Sequence, residues 1–317
     1  MSVYLESRLG DFWRRRVRLL LRAGRRWYRH QKEALLARRT ARSAVSEGAA
    51  VAALRSPSAR QRWEAAMALG RHPQRSASAI AALIEALADA EPFVRWKAAA
   101  ALAKQDPTNV FHALTDTLAQ GTPLQRAGAA EALAAIGGEA ATGALCRQIA
   151  DPEPLVRQAV ARALGQIGDP TTITLLLPML EDPEPQVRSA AARALGQIAS
   201  PAAAAPLARA LARSDQPLLV RRALAAALTR ALHPDAQPAL LAALADPDPQ
   251  VRGYAARALG QIGDETAYER LAGLLSDDTP LLKGTVGEEA RAARSLLERR
   301  GRRAVPTATS AAGEGRS

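Results

Sequence analysis

A 31-residue unit is written repeatedly along this chain. "DPEPLVRQAVARALGQIGDPTTITLLLPMLE" (151–181) runs directly into "DPEPQVRSAAARALGQIASPAAAAPLARALA" (182–212), and "DPDPQVRGYAARALGQIGDETAYERLAGLLS" (246–276) writes it again. Repetition at this period confines the chain to stacked supersecondary units, because one unit alone cannot bury its apolar face and its neighbours must complete the core. One arginine sets the register: Arg62, Arg95, Arg126, Arg157, Arg188, Arg221 and Arg252 each precede a leucine by seven residues, and successive arginines stand 33, 31, 31, 31, 33 and 31 residues apart.

Each unit reads as two helices. A polar residue and a proline open the first (Glu91-Pro92, Thr122-Pro123, Glu153-Pro154, Glu184-Pro185, Asp248-Pro249). Proline suits the first helical position, where its missing N–H would be unbonded anyway, and acidic residues there complement the helix dipole. Val156, Ala159, Val160, Ala163, Leu164 and Ile167 then step by three and four along one helical face. Gly137, Gly168 and Gly263 suggest left-handed C-terminal caps. A turn leads to a second helix, which in repeat four carries Leu175, Leu176, Met179 and Leu180 on its apolar side. Abundant alanine at the buried positions lets helices approach closely.

The pattern D-P-x-P-x-V-R-x-x-A-A-x-A-L-G-x-I-G-D resembles the PBS-lyase-type HEAT-like repeat, over about Ser56 to Asp278. The resemblance implies an all-α chain: an α-solenoid (superhelix) of about seven two-helix repeats, first helices convex and second helices concave. It further implies that the seven ladder arginines pair with an acidic turn residue or with carbonyls of the preceding unit, a structural role. The family holds phycobilin lyase subunits, an iron-dependent hydroxylase of a modified lysine, adaptors and scaffolds, so the resemblance is specific for the repeat and not for an activity. The expected organisation is a basic amphipathic helical extension (1–55), the repeats (56–278), a C-terminal capping helix (279–303, best formed from Glu288 to Arg300 and stopped by Gly301) and a small polar tail expected to be disordered (304–317).

The formal net charge of +12 is unevenly spread. Residues 1–56 carry +10 and residues 298–317 carry +3, whereas 57–297 sum to −1. The repeats are neutral, which argues against a nucleic-acid-binding groove despite the basic total. The single Cys146 excludes an intramolecular disulfide and any multi-cysteine metal site, and reads as a small buried hydrophobe. No run of 18 apolar residues occurs and "VRLLLRAG" is too short and charged for a secretory signal, so the expected location is cytoplasmic, peripheral at the membrane if the N-terminal segment acts as an anchor.

That segment, residues 11–29, is basic and amphipathic. Leu9, Phe12, Trp13, Val17, Leu20 and Trp27 share one side of a helical projection, and Arg15, Arg18, Arg22, Arg25 and Arg29 line the other. Three readings stand: a cap over the first repeat, an anchor on an anionic membrane surface, or a contact with nucleic acid or an acidic protein.

The repeats themselves hold one irregularity. The position after the ladder arginine and the one four residues on should share the first helix's outer face. They are Gln158/Arg162, Ser189/Arg193 and Gly253/Arg257 in repeats four, five and seven, but Trp63/Met67 and Trp96/Ala100 in repeats one and two. Adjacent tryptophans make a local apolar patch of the kind that marks a contact. It would receive the N-terminal helix or a partner protein, or else the tryptophans fill the seam between repeats. Arg162, Arg193 and Arg257 form a second candidate stripe, with solvation as its plain reading.

Signatures of chemistry are missing. None of His30, His72, His112 and His233 is followed by Glu, so the His-Glu pairs by which the family's hydroxylase holds iron are absent; His72 and His233 read as solvated turn residues. There is no H-E-x-x-H, C-x-x-C, G-x-S-x-G or phosphate-binding glycine loop. The acids Asp151, Glu153, Asp182, Glu184, Asp246 and Asp248 recur with the repeat, which points to capping. For a bilin, the second helices offer Thr171, Thr172, Thr174, Tyr268 and Arg270 in a chain that is 3% aromatic, a thin lining. The sequence therefore reads as a non-enzymatic interaction scaffold or assembly factor, needing no cofactor and no metal, with an unidentified protein partner met by Trp63, Met67, Trp96 and the N-terminal arginines. A phycobilin lyase or chromophore chaperone and a membrane-tethered adaptor are the alternatives.

Overall fold

The computed structural model describes residues 47–71 and 75–304, the last four by backbone alone. The architecture is an all-α solenoid of helix pairs. The first helices of repeats one to seven span Ala59–Leu69, Pro92–Leu102, Pro123–Ile136, Pro154–Ile167, Pro185–Ile198, Leu218–Leu228 and Pro249–Ile262. A helix at Glu47–Ala53 precedes them, packs against repeat one and brings Ala50 and Leu54 into the core. Val286–Ala304 closes the stack.

Proline occupies the first turn of the first helix in repeats two, three, four, five and seven. The residue before it acts unevenly. Thr122 makes a reciprocal capping box with Gln125, and the Asp248 carboxylate accepts from the Val251 amide. Glu91, Glu153 and Glu184 make no capping bond, so charge near the dipole is all they contribute to the helix end. At the other ends, Gly168 is left-handed (φ 76°, ψ 20°), but Gly137 is at ψ −167° and Gly263 is extended. The left-handed cap of repeat five falls on Ala199 (φ 57°, ψ 34°).

The second helices are mostly shorter and more broken, except in repeat two, where Pro107–Gln120 runs 14 residues against 11 in Pro92–Leu102. In repeat four the segment is a 3-10 turn (Pro170–Thr172), a single α-turn (Ile173–Leu176) and another 3-10 turn (Pro178–Glu181), because Pro178 lacks the N–H that would continue the helix. Leu176, Met179 and Leu180 are buried, whereas Leu175 faces out. The last helix runs through Gly301, where a stop is suggested by sequence, and starts two residues early at Val286.

The first helices press directly on one another. A Cβ on Gly165 would stand 2.5 Å from the Cα of Ala194 in the next repeat, and one on Gly196 2.8 Å from the Cα of Ala227. Gly260 stands in the same relation to Ala293 of the final helix, at 2.8 Å. These glycines recur for want of space rather than for backbone freedom. Leu69, Leu102, Leu133, Leu164, Leu195, Leu228 and Leu259, each seven residues after a ladder arginine, are fully buried.

Candidate functional site

The ladder arginines link consecutive repeats. Arg157 donates from Nε and Nη2 to the two carboxylate oxygens of Asp182 (2.7 and 3.0 Å), and from Nη1 to the carbonyls of Asp151 and Pro152 (2.9 and 3.0 Å). The carboxylate partner thus lies in the turn that opens the following repeat, while the carbonyls belong to the turn before the arginine's own helix. Asp151 is the node of this chain. Its carboxylate accepts a fork from Arg126 (2.8 and 2.8 Å) and the Glu153 amide (2.9 Å), while its carbonyl accepts from Arg157. Arg62–Asp89, Arg221–Asp246 and Arg252–Asp277 follow the same scheme. At Arg188 the partner is Gln216, whose buried amide nitrogen has no acceptor. Among the described residues Arg95 has only the carbonyls of Asp89 and Ala90.

Electrostatics agrees with this geometry. Burial opposes ionisation of Asp89 and Asp182, but the guanidinium fork of Arg62 or Arg157 and the amide two residues on outweigh it, holding both carboxyls below the usual range. At Asp277 burial is again outweighed, by Thr279 and Arg252. These acids and arginines pair with one another across the junctions between repeats.

The outer face of the first helices carries the irregularities. Trp96 is 59% exposed and Phe93, one turn before it, 46% exposed. Trp63 and Met67 on repeat one are half-buried. Lys97 joins the two tryptophans: its Nζ lies 4.8 Å from the Trp96 ring centroid and 5.3 Å from that of Trp63. Both distances fall within cation–π range. The lysine has no carboxylate partner among the described residues. From Trp96 a shallow trough crosses repeats two to four, floored by Ala100, Ala134 and Ala135 and bounded by Glu131 and Arg162, which pair at 2.9 Å. Phe93 and Lys97 were missed by a sequence reading confined to two positions of the helical wheel. The signal was there, in that Lys97 stands where repeats three to five carry Gly128, Ala159 and Ala190.

The second stripe divides. Arg162 pairs with Glu131 and Arg257 with Glu289, whereas Arg193 is exposed and makes no hydrogen bond or ion pair among the described residues. Arg15, Arg18, Arg22, Arg25 and Arg29 lie outside the described residues, as do His30 and His72. His112 is exposed, and His233 is half-buried, its Nδ1 accepting from the Asp235 amide across a 3-10 turn. Cys146 is half-buried rather than buried, and burial pushes its thiol up.

On the second helices, Thr171 bonds Asp169 and Thr172 is buried. Tyr268 is tied to the last helix: its hydroxyl donates to Glu298 (2.7 Å) and the Arg294 guanidinium lies 3.9 Å from its ring centroid. No group of three or more His, Cys, Asp and Glu placed to hold a metal occurs among the described residues, and no helix there is long and apolar enough to cross a membrane.

Comparison with known proteins places this geometry. The family model for HEAT repeats matches residues 48–134, 142–228 and 211–289. Among solved structures, Escherichia coli YibA is 22% identical over 79% of this chain and 91% of its own, with a TM-score of 0.55. The complex of CpcE and CpcF of phycocyanin lyase from Nostoc sp. is 25% identical over 81% of this chain and 95% of that one, with a TM-score of 0.39. Human deoxyhypusine hydroxylase is 25% identical over 71% and 83%, with a TM-score of 0.33. No curated protein matches the chain.

Proposed function

The chain belongs to the HEAT-repeat family, and on that premise we propose that it works as a non-enzymatic scaffold or assembly factor whose contact surface is the Trp63–Lys97–Trp96 cluster with the trough leading from it. The observation that carries this reading is the exposure of Trp96 and Phe93 on one patch, beside a lysine that clamps the two indoles. Aromatic side chains held in place at a surface are the usual anchors of protein interfaces, since they bury much apolar area for little loss of conformational freedom. The alanine floor of the trough admits a partner backbone closely. Elsewhere the recurrent turn aspartates Asp89, Asp151, Asp182, Asp246 and Asp277 are held by ladder arginines, which favours a structural over a catalytic role for them.

The basic extension would add a second contact. The five arginines on one side of its helical projection, Arg15, Arg18, Arg22, Arg25 and Arg29, suit an acidic partner surface or an anionic membrane. The test uses the full-length protein with a photo-crosslinking residue at Trp96, compared with the same residue at exposed Arg193. A partner captured reproducibly at the first position, and lost in a Trp63→Ala/Phe93→Ala variant, supports the scaffold reading. Absence of any protein crosslink at Trp96 would refute it. Liposome flotation of full-length protein and of fragment 47–317 assigns the extension: flotation that requires residues 1–46 makes it a membrane tether.

A further inference from the structure

The outer face changes character again at the far end of the solenoid. Repeat six opens its first helix with Leu218 and Leu219, 41% and 43% exposed, because its proline stands one place early at Pro217. With Arg193 and Tyr254 they line a groove between first helices. A second groove, lined by Leu281, Leu282 and Lys283, shares Gln250 and Tyr254 with the first, so the two make one depression across repeats five to seven. It is separate from the trough at Trp96, which ends at Arg162 and Gln166 in repeat four.

The loop at its end is held in place. The Leu281 amide donates to the Gly284 carbonyl (2.9 Å) and the Val286 amide to Thr279 (3.2 Å). Leu281 fills the space left by Gly253, where a Cβ would come within 2.8 Å of it. Leu282, at the tip, is thereby presented to solvent at 93% exposure. Charge on the depression is one-sided. Asp248 is bound by Arg222 and Glu289 by Arg257, while Arg193 and Lys283 have no partner among the described residues.

We infer that this depression docks an acidic amphipathic helix of a partner protein. Leucine-type side chains of that helix settle against Leu218, Leu219 and Leu282, and its flanking carboxylates meet Arg193 and Lys283. Three points select this occupant. The apolar side chains are large and exposed along one continuous depression, the kind of surface in which an amphipathic helix lays its apolar face. The unpartnered charges have one sign, so complementarity requires carboxylates. A second copy of this chain would set the same cations against each other about a two-fold axis.

The test is fluorescence anisotropy of the full-length protein with a synthetic helical peptide of about 18 residues, leucines at i, i+3, i+4 and i+7 and glutamates flanking them. The control peptide has the same composition in scrambled order. Binding on the order of micromolar at low salt, weakening as salt rises, is the expected result. Arg193→Glu/Lys283→Glu and, separately, Leu219→Ser/Leu282→Ser should each weaken it by about tenfold or more. All four side chains are exposed, so circular dichroism should remain unchanged, and Trp63→Ala/Trp96→Ala should bind as wild type. Equal binding of the scrambled peptide, no binding, or sensitivity to the tryptophan pair alone would overturn the assignment. So would a concentration-dependent dimer in sedimentation that Leu282→Ser abolishes.

Discussion

Alanine substituted for glycine should change sign between two helices of this solenoid. Gly143 lies inside Gly138–Cys146, and a Cβ there would meet nothing closer than the Arg147 guanidinium at 4.0 Å. Gly143→Ala should therefore stabilise by about 0.5–1 kcal/mol, the helix-propensity difference alone. Gly165 also sits inside a helix, Pro154–Ile167, and would collect the same gain. Its new methyl, however, would stand 2.5 Å from the Cα of Ala194 and 2.7 Å from its Cβ, atoms of a neighbouring helix that cannot swing aside as a side chain can. Overpacking of this kind costs about 1–3 kcal/mol and acts against the propensity gain. The expected result is a net loss of about 1–2 kcal/mol. At an m-value of about 2–3 kcal/mol/M, the urea midpoint falls by roughly half a molar. Urea melts followed by circular dichroism would measure both variants. Hydrogen exchange would locate the loss of Gly165→Ala at the junction of repeats four and five, since solenoid stability is a sum over neighbouring interfaces. If Gly165→Ala proves as stabilising as Gly143→Ala, the first helices do not meet at that point and the close-stacking account fails.

Three further outcomes follow from the same coordinates. Asp182→Ala removes the fork on Arg157 from a pair whose side chains are 14% and 9% exposed, and should destabilise by about 3 kcal/mol, whereas Glu131→Ala, which breaks a pair 49% and 39% exposed, should lose under about 1 kcal/mol; equal losses in urea melts would contradict the ladder's structural role. Because Asp89, Asp182 and Asp277 titrate below their unfolded value of about 3.9, their stabilisation is fully present above that pH and is lost as pH falls through the folded values; the urea midpoint should drop below about pH 4 and stay level from pH 5 to 7, with a flatter acid limb in Asp182→Asn. Ala199→Gly relieves a left-handed alanine at φ 57° and should raise the thermal midpoint, by about 1 kcal/mol of stability; a lowered midpoint would show that the alanine is not strained.

Much of the solenoid is legible along the chain because it is local physics repeated. The 31-residue period, the proline at the first turn and the apolar face that carries the leucine seven residues after each arginine are all set within one helix or one turn. The tryptophan pair could be marked for the same reason, as two residues out of character at one position of a regular wheel. What joins one repeat to the next was legible only in kind, as the pairing of ladder arginines with acidic turn residues that the family resemblance implied. Nothing in the spacing says that Arg157 reaches forward to Asp182 while leaning back on the Asp151 carbonyl, or that Gly165 is small because Ala194 lies against it. Nor does it say that Lys97 bridges the indoles of two repeats, or that Leu219 and Leu282, 63 residues apart, border one depression. Each depends on the rotation and rise between consecutive helix pairs, a quantity set by the summed packing of many small side chains and carried by no single residue. The sequence by itself determined what each repeat is; the stacking of repeats decided which side chains meet, and therefore where the outer face is open to a partner.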